Sequence, residues 1–478
     1  MTTLDIHHVR VTHRGTPLVE VSDLSLEAGR AFTIVGESGS GKSLLAHAVM
    51  GTLAAGLAVE GAMSLDGRRI DLADPGNRRA LWGRELALLP QEPASALDPT
   101  MRVGAQVAEG MLEQTPRRER LALAEAALAG VGLAGRGRDY PHTLSGGMAQ
   151  RVTYAAATIG GARVLLLDEP SKGLDRRAVD QLGDLLDRHL ADGGLLLTIT
   201  HDLRLASRLG GTVAVMREAA IIESGPVDRV LGDPQADYTR RLVGADPARW
   251  DRPWQRAGVV PERSAPPLVV ATDVGKSYGD AVVLDAVSLE VGAGERVALV
   301  GPSGSGKTTL GNALLRLVPV DRGTVTHAAE LSGGRVQKLY QDPALSFPAH
   351  VPLGAGIGDV ARRHGVDPGR VDELLVAMGL APELMQRRPG QVSGGELQRI
   401  AVVRAMLPAP ALVFADEATS RLDLLTQELT VDCLMTELAA RDCALLMITH
   451  DEALAEAVAD RRIALGKAGS REKTAVPS

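Results

Sequence analysis

Two stretches of this 478-residue chain share the spacing G-x-x-x-x-G-K-[ST]. One is Gly36-Glu-Ser38-Gly39-Ser40-Gly41-Lys42-Ser43. The other is Gly301-Pro-Ser303-Gly304-Ser305-Gly306-Lys307-Thr308, followed by Thr309. Runs of this kind suit the binding of nucleotide phosphates. The glycines let backbone N–H groups curl around the anion, and a following helix adds positive potential at its N-terminus. The lysine reaches the β- and γ-phosphates, and the hydroxyl of Ser43 or Thr308 suits Mg²⁺. Each run follows an apolar, strand-like segment (Phe32 to Val35; Val297 to Val300) and opens a helical pattern (Leu44 to Met50; Leu310 to Leu317). Two matches in the same context leave little room for a chance glycine-rich turn.

Further along, Val164-Leu-Leu-Leu-Asp168-Glu169 and Ala411-Leu-Val-Phe-Ala-Asp416-Glu417 place two acids at the end of a buried strand. A carboxylate is costly there unless cations or water are near. The first acid of each pair suits a Mg²⁺ shell, and the second suits polarising the water that attacks a phosphoryl group. His201 and His450 each stand in Ile-Thr-His-Asp after another apolar run. Gln91 and Gln341 stand before a prolyl segment, and Leu144-Ser145-Gly146-Gly147 and Val392-Ser393-Gly394-Gly395 each precede a helix that leads into the acidic strand. A third such run, Leu331-Ser332-Gly333-Gly334, lies before Gln341 with no acidic strand behind it, and it reads as a turn into the strand ending there.

At these serine-glycine signatures the sequence resembles the ABC ATPase superfamily. The resemblance implies that the signature residues of one cassette bind the γ-phosphate of ATP held by the other, in a head-to-tail pair. It also implies that Gln91 and Gln341 sense Mg²⁺ and water, and that His201 and His450 contact the γ-phosphate. By the same resemblance Glu169 and Glu417 are catalytic, and Ser43, Gln91, Asp168, Thr308, Gln341 and Asp416 surround Mg²⁺. Leu174-Asp175 and Leu422-Asp423 match the loop that follows the catalytic glutamate. Tyr278, 23 residues before Gly301, resembles the aromatic that stacks on adenine, whereas the same count back from Gly36 reaches His13. Imidazole stacks more weakly, so two hydrolytic sites of unequal affinity are expected, tighter at Lys307 than at Lys42.

The elements that must position these groups follow from repetition. Gly301 lies 265 residues after Gly36, but Gln341 lies only 250 after Gln91, and Ser393, Glu417 and His450 keep offsets of 248, 248 and 249. The halves are copies, and the second lacks about 15 residues between its glycine-rich loop and its glutamine. The expected architecture is α/β: two tandem P-loop domains, each with a mainly parallel core sheet, helices, and a helical subdomain bearing the signature. The boundaries read as 1–245 and 268–478 with a Pro-, Arg- and Trp-containing linker at 246–267. Composition agrees with such a fold: 45% of residues are hydrophobic and 23% charged, while aromatics make up only 2%, so the cores must be packed with Leu, Val and Ala. A net charge of −7 gives no global basic field and counts against a nucleic-acid partner. Apolar runs such as Val164 to Leu167 are strand-sized, far short of the roughly 18 residues of a membrane helix. Any membrane role therefore needs partner chains. Only Cys433 and Cys443 are present, on what reads as a helix and the strand after it, without metal-ligand spacing, which fits a reducing cytoplasm.

Finer resemblance narrows the family. Gln91-Glu-Pro-Ala-Ser-Ala-Leu-Asp-Pro99 and Pro234-Gln-Ala-Asp-Tyr238-Thr239-Arg240 are similar to segments of the peptide/nickel importer branch, the oligopeptide, dipeptide and nickel permeases. The second copy matches more loosely and runs only 28 residues past His450, without that branch's usual cysteine-bearing extension. The resemblance implies two membrane permease subunits and a substrate-binding protein as partners, and a peripheral position on the cytoplasmic face of the membrane. The ATPase of an efflux pump, or a ribosome- or repair-associated ABC ATPase, are the alternatives.

Overall fold

Mostly apolar runs form the centre of each half. Val164–Asp168, Leu195–Ile199, Leu412–Asp416 and Ala444–Ile448 are buried along their whole length. Strands lose polar alternation in this way when both faces of a parallel sheet are covered. The computed structural model describes residues 3–111, 115–252, 254 and 266–466, and the chain divides into two units, Met1–Gly244 and Ala245–Ser478.

In the first unit the six-stranded sheet runs Ala220–Pro226, Thr212–Arg217, Ala31–Val35, Leu195–Ile199, Val164–Asp168, Leu86–Leu89. All neighbours are parallel except the outermost hairpin at Ala220. A four-stranded antiparallel sheet, Thr16–Glu27, Thr3–His13, Leu57–Leu65 and Arg68–Asp71, packs through Ile6, Val9 and Val21 into the same core as Leu45, Val49 and Ile34. The opposite face of the parallel sheet carries the helical region, where Val103, Val107, Ala124, Leu128 and Val152 are buried with Leu165 and Leu167.

Among the described residues the second unit repeats this plan with five parallel strands: Val336–Leu339, Leu412–Asp416, Ala444–Ile448, Arg296–Val300 and Arg461–Ala464. Its antiparallel sheet has three strands, Ala281–Val291, Val269–Tyr278 and Arg322–His327. The missing residues therefore correspond to the strand Arg68–Asp71 and the short helix Pro75–Arg79 of the first unit. In the first unit that segment has a purpose. Arg78 donates to the Ala48 carbonyl and Trp82 Nε1 donates to Met50 O at 2.9 Å, so both satisfy the C-terminal end of the helix Lys42–Met50. In the second unit the His327 ring nitrogen meets Leu314 O at 2.6 Å instead.

Some local expectations shift. The helix after the second glycine-rich loop is Lys307–Leu314, so Leu317 lies past its end and is 58% exposed. Cys443 sits just before the strand Ala444–Ile448 rather than in it, and burial pushes its thiol up to about 12. The Ser332 run is a turn between the 3₁₀ helix Ala329–Leu331 and the strand Val336–Leu339. The stretch read as a linker begins with a 3₁₀ helix, Pro247–Arg249, and Trp250 is buried with Leu454 and Val458 of the second unit. Trp254 Nε1 donates to Asp432 Oδ1 at 3.0 Å. Residues 253 and 255–265 of that stretch lie outside the described residues.

Candidate functional site

Parallel strands end on one edge of each sheet, and the candidate residues collect there. The loop after Ala31–Val35 turns back at Gly36, whose φ is 151° and where a Cβ would stand 2.2 Å from the Met216 carbonyl oxygen. Gly301, with φ 142° and 2.3 Å to Leu465 O, repeats this. Only glycine fits so close an approach of backbone to backbone. Lys42 Nζ donates to Gly36 O at 2.7 Å, Glu37 O at 2.6 Å and Ser40 Oγ at 3.3 Å. Lys307 Nζ donates to Gly301 O at 2.8 Å and Pro302 O at 2.9 Å. Both lysines are buried, so each loop holds an ammonium at the N-terminus of its helix.

Ser43 Oγ donates to Asp168 Oδ1 at 2.8 Å, and Thr308 Oγ1 to Asp416 Oδ1 at 2.9 Å. Next to each aspartate, Glu169 and Glu417 adopt left-handed backbone, φ 48° and 51°, uncommon for a residue with a side chain. Each is held there by a bond from its own N–H to the neighbouring strand, to Ile199 O at 2.8 Å and Ile448 O at 3.0 Å. The turn aims the carboxylate at the histidine. His201 Nδ1 lies 2.7 Å from Glu169 Oε2, with the His201 N–H donating to the same oxygen at 3.2 Å, and His450 Nε2 lies 2.6 Å from Glu417 Oε1. Gln341 Nε2 donates to Glu417 Oε2 at 2.7 Å, whereas Gln91 is exposed and has no hydrogen-bond partner among the described residues.

Electrostatics in the first unit follow from this packing. Burial pushes the Asp168 carboxyl up, with the Glu169 charge adding to it and the Ser43 bond opposing. Burial by itself would raise Glu169 too, but the bond and charge of His201, with Lys42, hold it below the usual carboxylate range. Burial would lower His201, yet the bond and charge of Glu169 keep its imidazolium above the ordinary histidine range. The carboxylate half of this pair stabilises the fold at neutral pH and loses its contribution as pH falls through the lowered Glu169 value. The imidazolium half contributes fully below the ordinary histidine range and is lost as pH rises through the raised His201 value. In an NMR titration His201 is expected to have a higher midpoint than ordinary histidines, and Glu169→Gln is expected to lower it. A midpoint that Glu169→Gln leaves in place would show that the pairing does not set it.

The signatures cap helices. Ser145 Oγ accepts from Met148 N at 3.4 Å at the start of Gly146–Thr158, and Ser393 Oγ accepts from Glu396 N at 3.3 Å at the start of Gly394–Met406. Ser393 also donates its hydroxyl to Glu396 Oε2 at 2.9 Å, an engagement that Met148 cannot offer Ser145. Gly146 and Gly394 are exposed, leaving the helix N-termini open. Asp175 and Asp423 each cap the next helix, accepting from Ala178 N at 2.9 Å and Thr426 N at 3.0 Å. His13 and Tyr278 both end the first strand of their antiparallel sheet, pairing with Thr16 and Ala281, and both are exposed. Lys276 Nζ lies 5.6 Å from the Tyr278 ring centroid.

A family model described as "ABC transporter" matches residues 19–172 and 284–420, covering the loops, the signatures and the acid pairs of both units. The chain belongs to the ABC transporter family. It is an ATP-binding protein with the ATPase activity of that family. It is similar to the glutathione import ATP-binding protein GsiA of Escherichia coli K12, at 33% identity over 91% of this chain and 80% of that relative. It is equally similar, at 33%, to the peptidoglycan transport ATP-binding protein YejF of Agrobacterium fabrum, over 94% of this chain and 88% of that one. These relatives place it in the peptide/nickel importer branch. Among solved structures, an RNase-L inhibitor matches 95% of the chain and 87% of its own length with a TM-score of 0.67 at 21% identity, a likeness of fold alone. No described helix of this ABC protein is long and apolar enough to cross a membrane.

Two site neighbours escape a reading by motif. Tyr238, buried in the helix Asp237–Gly244, accepts a hydrogen bond from the Glu37 N–H of the first loop at 3.1 Å across 201 residues. The P-x-x-x-Y-T-R resemblance marks the residue but not its target. Tyr238→Phe leaves that partly buried N–H unpaired, at a cost of about 1 kcal/mol. It is expected to lower nucleotide affinity in the first cassette severalfold, as read by nucleotide titration in a Lys307→Ala background, and to leave the second unchanged, as read in a Lys42→Ala background. The other neighbour is Lys338, 3.2 Å from Asp416 Oδ2. A lysine three residues before Gln341, where the first copy has Leu88 before Gln91, was the available signal.

Proposed function

We propose that this chain is the paired ATPase of a membrane importer whose cargo is a peptide, with nickel or a metal chelate as the next candidate class. The observation that carries this is the similarity, over more than nine-tenths of the chain, to ATP-binding proteins named for glutathione import and peptidoglycan transport. Glutathione is itself a tripeptide, which favours the peptide class. Two permease subunits and a substrate-binding protein complete the assembly, and the chain sits against the cytoplasmic face of the membrane.

Two ATP sites form when the cassettes close head to tail. The first joins Lys42, Ser43, Gln91, Asp168, Glu169 and His201 to Ser393, Gly394 and Gly395. The second joins Lys307, Thr308, Gln341, Asp416, Glu417 and His450 to Ser145, Gly146 and Gly147. Loop N–H groups and the lysine hold the β- and γ-phosphates, and His13 or Tyr278 meets the adenine. The glutamate orients and accepts a proton from the attacking water, and its histidine steadies the carboxylate and contacts the γ-phosphate. Hydroxyl, carboxylate and amide oxygens make a hard donor set that fits Mg²⁺ at Ser43, Gln91 and Asp168 and at Thr308, Gln341 and Asp416. When bound, Mg²⁺ would supply positive charge to offset that of the phosphates.

The test is affinity purification of the tagged chain from membranes, followed by uptake of labelled di- and tripeptides and of nickel in cells lacking the chain. Recovery of two permease subunits and loss of one uptake are expected. Recovery of ribosomes in their place, or unchanged uptake of all three probes, overturns the reading.

A further inference from the structure

Lys338 stands where the first cassette has Leu88. Both occupy the third position of the outermost parallel strand, Val336–Leu339 or Leu86–Leu89, and both pair with the residue two before the first acid: Lys338 with Phe414, Leu88 with Leu166. The Lys338 side chain is only 10% exposed. Its ammonium is seated by Asp416 Oδ2 at 3.2 Å and Asn312 Oδ1 at 2.8 Å, with the ring centroids of Tyr340 at 4.9 Å and Phe414 at 5.2 Å. An ammonium is stable away from water only where partners replace its hydration, and here a carboxylate, an amide and two ring faces do so.

Asp416 consequently has one oxygen bonded by Thr308 and the other paired with a fixed positive charge. The first cassette lacks that arrangement. Asp168 accepts from Ser43, and no lysine or arginine forms an ion pair with it among the described residues. His47, which takes the place of Asn312 at the same distance along the loop helix, bonds Thr52 Oγ1 at 2.7 Å and acts on Asp168 only through its charge.

We propose that Lys338 is a built-in cation of the second ATP site, one that weakens this site's hold on divalent metal relative to the first and makes its nucleotide binding less dependent on metal. The inference rests on the reading of Thr308 and Asp416 as the metal-holding pair. A carboxylate already paired with an ammonium presents less negative potential to a second cation, and the ammonium itself repels that cation. Adenine stacking by Tyr278 is a separate contribution, so a site can bind nucleotide well while binding metal weakly.

Mn²⁺, titrated into the full chain saturated with a non-hydrolysable ATP analogue and followed by EPR, reads metal binding without turnover. Two bound Mn²⁺ per chain are expected, with affinities that differ roughly tenfold for one unit charge at this range in a partly screened site. Lys338→Leu is expected to tighten the weaker ion by about the same factor, and Lys338→Arg to leave it weak. The reciprocal Leu88→Lys, made in the first cassette, is expected to weaken the tighter ion, and it reports independently of how Lys338→Leu folds. Two ions of equal affinity, unmoved by Lys338→Leu and by Leu88→Lys, overturn the inference and leave the metal sites standing. Failure of the wild-type chain to bind Mn²⁺ with the nucleotide overturns the metal-site reading itself.

Discussion

Changing Glu169 and Glu417 together to Gln is expected to reduce steady-state ATP hydrolysis by about 10²–10⁴-fold, the usual contribution of a positioned general base, with ATP binding retained. Glutamine keeps the shape of the side chain and an oxygen that His201 or His450 can bond, so the loops and strand ends persist. What it cannot do is accept the proton of the attacking water. The paired left-handed backbone at both positions supports the assignment, since strain of this kind costs about 1–3 kcal/mol and persists where the surroundings fix it. Phosphate release measures the loss, and binding of labelled ATP measures what is retained as the closed, ATP-bound form. Unchanged hydrolysis in the double variant would sink the assignment of both glutamates.

The separate replacements Lys42→Ala and Lys307→Ala are expected to differ from each other. Each removes a buried ammonium proposed to hold the phosphates, and loss of one partner in a desolvated charge pair costs roughly 2–5 kcal/mol, enough to silence that cassette's own site. The affinity that remains then belongs to the other cassette. Lys42→Ala leaves the site with Tyr278, and Lys307→Ala leaves the site with His13. Stacking of a base on an aromatic ring is worth about 1–3 kcal/mol, and the smaller imidazole supplies less of it, so the Lys42→Ala chain is expected to bind ATP several times more tightly. Equal residual affinities in the two variants would remove the adenine contact as a source of inequality. Both rings are exposed at the same strand end, so the difference lies in ring chemistry and not in burial.

The two loops, acid pairs, signatures and strand-end histidines were legible in the residues because each is a short contiguous segment whose chemistry depends on its own backbone. The glycine-rich loop is a property of eight successive residues, and an apolar run ending in Asp-Glu announces both a buried strand and the point where it emerges. Duplication was legible for the same reason, and the change in offset located the missing segment without saying what it was. The structure identifies it as one edge strand and one short helix, together with the Arg78 and Trp82 contacts that finish the loop helix in the first unit. Trp250 shows the opposite case, where composition reads as linker but two indoles seek apolar cover and find it on the second unit.

The sequence by itself determined that this protein is a tandem ABC ATPase, and it named the candidate residues for its chemistry in order along the chain. Only the tertiary structure decided how the two halves differ within their sites. Tyr238 reaches the Glu37 amide from 201 residues away, Gln341 bonds Glu417 while Gln91 has no such partner among the described residues, and Lys338 meets Asp416 and Phe414 on the neighbouring strand and Asn312 on the loop helix. No local pattern encodes those meetings. They arise because parallel strands and the loop helix bring distant residues to one sheet edge, where a buried charge is stable only if every neighbour that replaces its water is in place.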